Sequence, residues 1–229
     1  KYTENKGSAQ CKSSVIFAAL KTPGKTIIKA KKSRDHTELL CKYLKLPIKI
    51  IKTKNYDFIE VNQATKLKPL NYNIPSDISS SAFFIVLTVL TKDSKMIIKN
   101  VNINPSRVGI LTILKMMGIK IQLKNKRNYK GELIADIFVQ SAKKIKAINC
   151  PTKLNSGAID EFLVIFLVAA KAKGVSYFSD LGELNQKESP RLDLGNKILN
   201  KMGIKTIVKN NSIKIFGNPE LNINKNIVI

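Results

Sequence analysis

A chain of 229 residues, 44% of them hydrophobic, can bury a sizeable core, which excludes a disordered tail and implies one large domain or two smaller ones. Its longest uninterrupted apolar run, Phe162 to Ala170, stops at Lys171, far short of the roughly 20 residues that cross a bilayer, so a soluble chain is expected. Forty Lys+Arg against 16 Asp+Glu give a net charge of +24, yet only Lys29 to Lys32 resembles a basic block, so the spread favours a lysine-biased surface that attracts small anions over a polyanion footprint.

In chain order, "SAQCKSSVIFAAL" is a polar start followed by an apolar helix. Ser8 and Gln10 sit at or before its first turn, where hydroxyl, amide and free N–H groups make an anion site; an ordinary Ser N-cap fits equally well. "TIIKA" is a short β-branched strand. In "SRDHTELLCKYLKLP", Leu39, Leu40, Tyr43 and Leu44 form one apolar stripe of a helix, and His36, with no second metal ligand nearby, reads as a loop or cap residue. "IKIIK" and "FIEV" follow as strands. Residues 66–80, rich in Pro, Asn and Ser, mark a boundary near Pro75.

Beyond it the same order recurs. Ser79 to Ser81 open a second apolar helix and read as caps; "MIIKN" is a strand; Val108, Leu111, Leu114 and Met117 recur every three residues, and Gly118 stands where a left-handed C-cap residue is wanted. "GIKIQL" and "ADIFVQ" close this copy as strands. A third copy begins at "AIDEFLVIFLVAA", where Asp160 and Glu161 lead a wholly apolar helix, either as caps favoured by the helix dipole or with one carboxylate as a general base. "VSYFSD" is its strand, and "KTIV" with "SIKIF" forms a hairpin across Asn210-Asn211. Between them lies "LGELNQKESPRLD". If a helix starts near Lys187, then Lys187 and Arg191 share a face with Glu188 beside it. That is either a solvated salt-bridge cluster or two phosphate-binding cations with a proton-transfer group. Cys11, Cys41 and Cys150 are odd in number, far apart and without a metal-ligand spacing, so they read as reduced core residues.

The unit is β-α-β-α-β-β, three times over, which predicts an α/β (α+β) fold with helices packed on sheets. Its motifs, "SAQCKSS", "SRDHTE", "SDISSSAFF", "NPSRVGIL", "MMGIKI", "IDE" and "KESPR", in that order, resemble those of the EPSP synthase family, the 3-phosphoshikimate 1-carboxyvinyltransferases, in the bacterial subgroup. The resemblance covers essentially all 229 residues. It implies an enolpyruvyl transferase fold of two lobes, three such units in each, with residues 1–75 as the rest of the last unit of the first lobe and 76–229 as about two units of the second.

It further implies a cytoplasmic enzyme, monomeric when full length, without metal or organic cofactor and with no nucleic-acid or membrane partner. The family moves the enolpyruvyl group of phosphoenolpyruvate to the 5-hydroxyl of shikimate 3-phosphate and releases phosphate. Carried over by motif, Ser8, Ala9 and Gln10 hold shikimate 3-phosphate, Gln10 also approaches phosphoenolpyruvate, and Arg34 reaches the shikimate side. Asp160 accepts the hydroxyl proton, Glu188 acts on the enolpyruvyl methylene, Lys187 contacts the substrates, and Arg191 pairs with phosphoenolpyruvate.

The sequence departs from the family pattern in two ways. Asn185 and Pro190 stand where it has arginine and aspartate, and its "D-K-S-x-S-x-R", Gly-rich and "D-H-R-x-A-M" segments have no counterpart. A central fragment of about half a synthase, inactive alone, is therefore the expectation. The alternatives are the UDP-N-acetylglucosamine enolpyruvyl transferase, against which "SRDHTE" and "KESPR" argue, and a nucleic-acid or RNA-end-binding protein on a related repeat fold.

Overall fold

The computed structural model of the chain describes residues 1–67, 69–186 and 188–222. The first copy of the repeat runs β1 (Tyr2–Glu4), α1 (Ala9–Ala19), β2 (Lys25–Lys31), α2 (His36–Tyr43), β3 (Ile48–Lys52) and β4 (Tyr56–Asn62). The second has α3 (Ile78–Leu90), β5 (Lys95–Asn102), α4 (Gly109–Met116), β6 (Ile121–Tyr129) and β7 (Glu132–Gln140). The third has β8 (Asn149–Cys150), α5 (Asn155–Ala158), α6 (Phe162–Ala170), β9 (Gly174–Phe178), α7 (Arg191–Lys201), β10 (Thr206–Lys209) and β11 (Ser212–Gly217).

The copies share one sheet topology. The first is ordered β1-β2-β4-β3 and the third β8-β9-β11-β10, each with its outer short strand parallel to the next and the remaining pairs antiparallel. The second is β5-β7-β6, with a parallel bridge from Ser76 to Val101 in the place of the missing first strand. Strand β4 shows why these segments are strands: Asp57, Ile59 and Val61 alternate inward, the period-two pattern of a sheet with one buried face.

The turns follow local chemistry. Gly118 and Gly203 adopt φ of +87° and +81° directly after the caps of α4 and α7, the left-handed residue that closes a helix. Asn210 and Asn211 both have positive φ, as the two-residue β10–β11 hairpin requires.

The chain divides into two compact units, one of Lys1–Ile74 with Arg127–Ile134, the other of Pro75–Lys126 with Ala135–Ile229. The first is cored by Ile16, Ile28, Ile59 and Val61 beneath α1 and α2. Its second segment carries Glu132, whose Oε1 lies 2.5 Å from His36 Nδ1 at the start of α2. The second unit is built around α6, apolar on every side, where Phe162, Phe166 and Phe178 pack with ring centroids 5.4–5.9 Å apart. Two of the cysteines are core residues, and burial pushes the Cys150 thiol up to about 11. Cys11 differs from expectation: it lies on the outer face of α1 and is exposed, because the buried stripe of that helix is Lys12, Ile16 and Ala19.

Candidate functional site

In the first unit, Ser8 is the N-cap of α1, with its hydroxyl accepting from the Cys11 N–H at 3.2 Å. Ala9 is half-buried and Gln10 exposed on the first turn, and no acidic residue occupies that turn. The capping and anion-binding readings of Ser8 are therefore compatible: one lone pair serves the helix, while neighbouring donors remain at its positive end. Arg34 lies in the loop before α2, half-buried, and its carbonyl accepts from Lys12 Nζ at 3.0 Å. Lys12 was not singled out by its sequence position, yet it is fully buried and ion-paired with Glu38 at 2.6 Å. Beside that pair, burial first and the Glu38 charge second push the Cys41 thiol up to about 11.

In the second unit, Asp160, Glu188 and Arg191 come together. Arg191 is the first residue of α7; its Nη1 donates to Asp160 Oδ1 at 3.3 Å and its Nη2 to Glu188 Oε2 at 2.9 Å. Asp160 lies just ahead of α6, and Glu188 in the bend before α7 is exposed. One guanidinium thus spans two carboxylates at the mouths of two helices. Such a fork can take an anionic ligand, and each carboxylate can move a proton. Helix α7 starts at Arg191 rather than near Lys187, because Pro190 occupies the N-cap position. Glu188 consequently precedes the helix, and Lys187 lies outside the described residues.

Pro190 offers α7 no side-chain cap. Asn185 does so from the preceding 3-10 turn, its Oδ1 accepting from the Leu192 N–H at 2.9 Å and the Asp193 N–H at 3.4 Å.

Sequence reasoning missed the network behind Asp160. Glu161, its neighbour, is buried and makes no cap bond to α6. Its carboxylate instead accepts a hydrogen bond from Ser79, and Arg107 Nη2 reaches Ser79 Oγ at 2.5 Å and Asp77 Oδ1 at 3.2 Å. Burial raises the Glu161 carboxyl above its ordinary value, while the Ser79 hydrogen bond and the Arg107 charge pull the other way. Only the acidic pair at 160–161 and the arginine in "NPSR" hinted at this, since residues so distant in sequence meet only in the fold. Among the described residues no group of three or more His, Cys, Asp or Glu is placed to hold a metal ion.

Residues 1–225 match the family model described as EPSP synthase (3-phosphoshikimate 1-carboxyvinyltransferase). A 3-phosphoshikimate 1-carboxyvinyltransferase of Ruthia magnifica subsp. Calyptogena magnifica is 42% identical over 211 residues, which cover 92% of this chain and 47% of that protein. One from Endomicrobium trichonymphae is 36% identical over 228 residues, 99% of this chain and 52% of the relative. Among solved structures, EPSP synthase from Acinetobacter baumannii superposes with a TM-score of 0.87 at 34% identity, over 96% of this chain and 48% of that one. The enolpyruvyl transferase NikO from Streptomyces tendae shares the fold, with a TM-score of 0.62 at 16% identity, over 94% of this chain and 49% of that one. The chain spans about half the length of the curated relatives it matches.

Proposed function

The chain belongs to the EPSP synthase family, and on that premise we propose that it supplies part of an active site transferring the enolpyruvyl group of phosphoenolpyruvate to the 5-hydroxyl of shikimate 3-phosphate. The observation that carries the reading is the Asp160–Arg191–Glu188 cluster. Asp160 takes the proton of the attacking hydroxyl as its oxygen bonds to the enol carbon, and Glu188 protonates the methylene to give a tetrahedral adduct. The Glu188 carboxylate then takes a proton back from the resulting methyl group as the C–O bond to phosphate breaks and the methylene re-forms, and the hydroxyl proton passes from Asp160 to the departing phosphate.

Arg191 offers its fork to phosphoenolpyruvate, and its two carboxylate partners keep it aimed before substrate arrives. Ser8, Ala9, Gln10 and Arg34 take shikimate 3-phosphate, with Lys187 as a further substrate contact. The lobe assignment belongs to the same proposal: residues 1–75 complete the last repeat of one lobe, and 76–229 make about two repeats of the other. So does a cytoplasmic monomer working without cofactor; no described helix is long and apolar enough to cross a membrane.

The test is phosphate release by the full-length polypeptide containing this segment, with both substrates and with each omitted. Release that needs both, and falls about a hundredfold or more in Asp160→Asn and in Glu188→Gln, is the expected result. Unchanged rates in both variants would remove the assignment.

A further inference from the structure

Two of the motifs are joined by residues that the proposed function does not use. Lys12 of "SAQCKSS" reaches Glu38 Oε1 of "SRDHTE" at 2.6 Å and the Arg34 carbonyl at 3.0 Å, and Ser13 Oγ meets Thr37 Oγ1 at 2.6 Å. Lys12 also closes the first turn of α1, with its N–H donating to the Ser8 carbonyl at 3.1 Å. Holding its side chain therefore fixes the phase of the turn that carries Ser8, Ala9 and Gln10, and the same ammonium holds the main chain at Arg34.

The other copies show that the fold does not require charge here. Aligning "TPGKTIIK" with "KDSKMIIK" places Ala82 at the position of Lys12, and aligning Gly24 with Gly174 places Phe162 there. Lys12, Ala82 and Phe162 are all 0% exposed. Glu38 lies four residues past Arg34; four past Arg107 and Arg191 are Leu111 and Gly195, also buried. Where the other two copies carry Ala82 or Phe162 and Leu111 or Gly195, the first buries an ammonium and a carboxylate. Desolvating such a pair commonly offsets its attraction, so an apolar replacement would hold the helices at least as well. What an apolar pair cannot do is donate a hydrogen bond to the Arg34 carbonyl.

We propose that Lys12 and Glu38 are positioning residues that lock the Ser8–Gln10 turn and the Arg34 loop into one preorganised surface for shikimate 3-phosphate. This rests on the functional reading above. Displacement of a binding group by an ångström lowers productive binding strongly, which is why a buried clasp at this place has a functional consequence.

The experiment uses the full-length polypeptide as wild type, Lys12→Met/Glu38→Leu, Arg34→Ala and the triple variant, with Tm, kcat and KM for shikimate 3-phosphate as readouts. The double variant is expected to keep its Tm and kcat while KM rises about tenfold or more. Arg34→Ala should raise KM in the wild type but by less than about twofold in the double variant, because the clasp has already let the loop go. An unchanged KM in the double variant, or effects of Arg34→Ala that simply multiply, overturns the proposal.

Should the double variant not fold, Ser13→Ala/Thr37→Val loosens the same joint with little change of shape. A KM raised about threefold at constant Tm supports the clasp, and an unchanged KM removes it. A wild type that neither binds nor converts shikimate 3-phosphate removes the functional reading and the clasp's role with it. Indifferent variants on an active wild type remove the clasp alone.

Discussion

The loops carrying Arg107 and Arg191 stand at corresponding places in two copies of one module, and they do opposite things. Arg107 turns inward, to Asp77, which caps α3, and to Ser79, which serves the buried Glu161. Arg191 spans Asp160 and the exposed Glu188. The two networks meet at adjacent residues, Glu161 and Asp160. On the proposed function, the shared scaffold uses one arginine to hold the fold and the other to meet phosphoenolpyruvate, and the two differ in the partners each has in the structure.

The largest test of that contrast removes each arginine in turn. Arg191→Ala should lower kcat/KM for phosphoenolpyruvate about a thousandfold while the thermal midpoint hardly moves, since a part-exposed ion pair adds little to stability. Arg107→Ala should do the reverse, costing about 1–3 kcal/mol through the bonds lost at Ser79 and Asp77 and the positive charge lost near Glu161, and lowering the Tm by a few degrees. Denaturation scans beside steady-state rates on the full-length polypeptide would check both. Equal losses of activity in the two variants would break the comparison.

A smaller effect comes from the buried Glu161 carboxyl. The Glu161 carboxyl, raised mainly by burial, retains a proton in the native chain at pH values where the unfolded chain has released it. The native state then binds more protons than the unfolded state, so stability falls as pH rises from the ordinary value of 4.5 through the raised one. Glu161→Gln cannot ionise and should lack this fall. Its Tm is expected to match the wild type near pH 4 and to exceed it at neutral pH. A Tm difference that does not vary with pH would mean that Glu161 is held by its hydrogen bond to Ser79 and not by desolvation.

Much of this was legible in the sequence because it is local. The helix-strand-helix-strand-strand order of each copy, the Asn210-Asn211 hairpin and the glycines after α4 and α7 follow from periodicity and backbone preference at single positions, whereas the short strands β1 and β8 carry no such pattern. The triad of Asp160, Glu188 and Arg191 was foreshadowed by motif, although the start of α7 was misplaced because Pro190 ends the run of possible helical residues before Arg191. The buried Lys12–Glu38 and Ser79–Glu161 contacts were not legible. Each joins residues separated by 26 or 82 positions, and a lysine or serine on an amphipathic helix gives no sign of facing inward until its partner is placed.

The smallest effect concerns the start of α7, where Pro190 at the N-cap position has no side-chain acceptor to offer and Asn185 supplies one, accepting from Leu192 and Asp193. Asn185→Ala should then cost about 1 kcal/mol, near 2–4 °C in Tm. Pro190→Asp alone should change little, since its donors are already satisfied, but in the Asn185→Ala background it should restore most of the loss. The two substitutions are thus expected to be strongly non-additive in a double-mutant cycle. Additive effects would mean that Asn185 steadies the 3-10 turn and not the helix, and that α7 presents Arg191 to Asp160 without any cap at all.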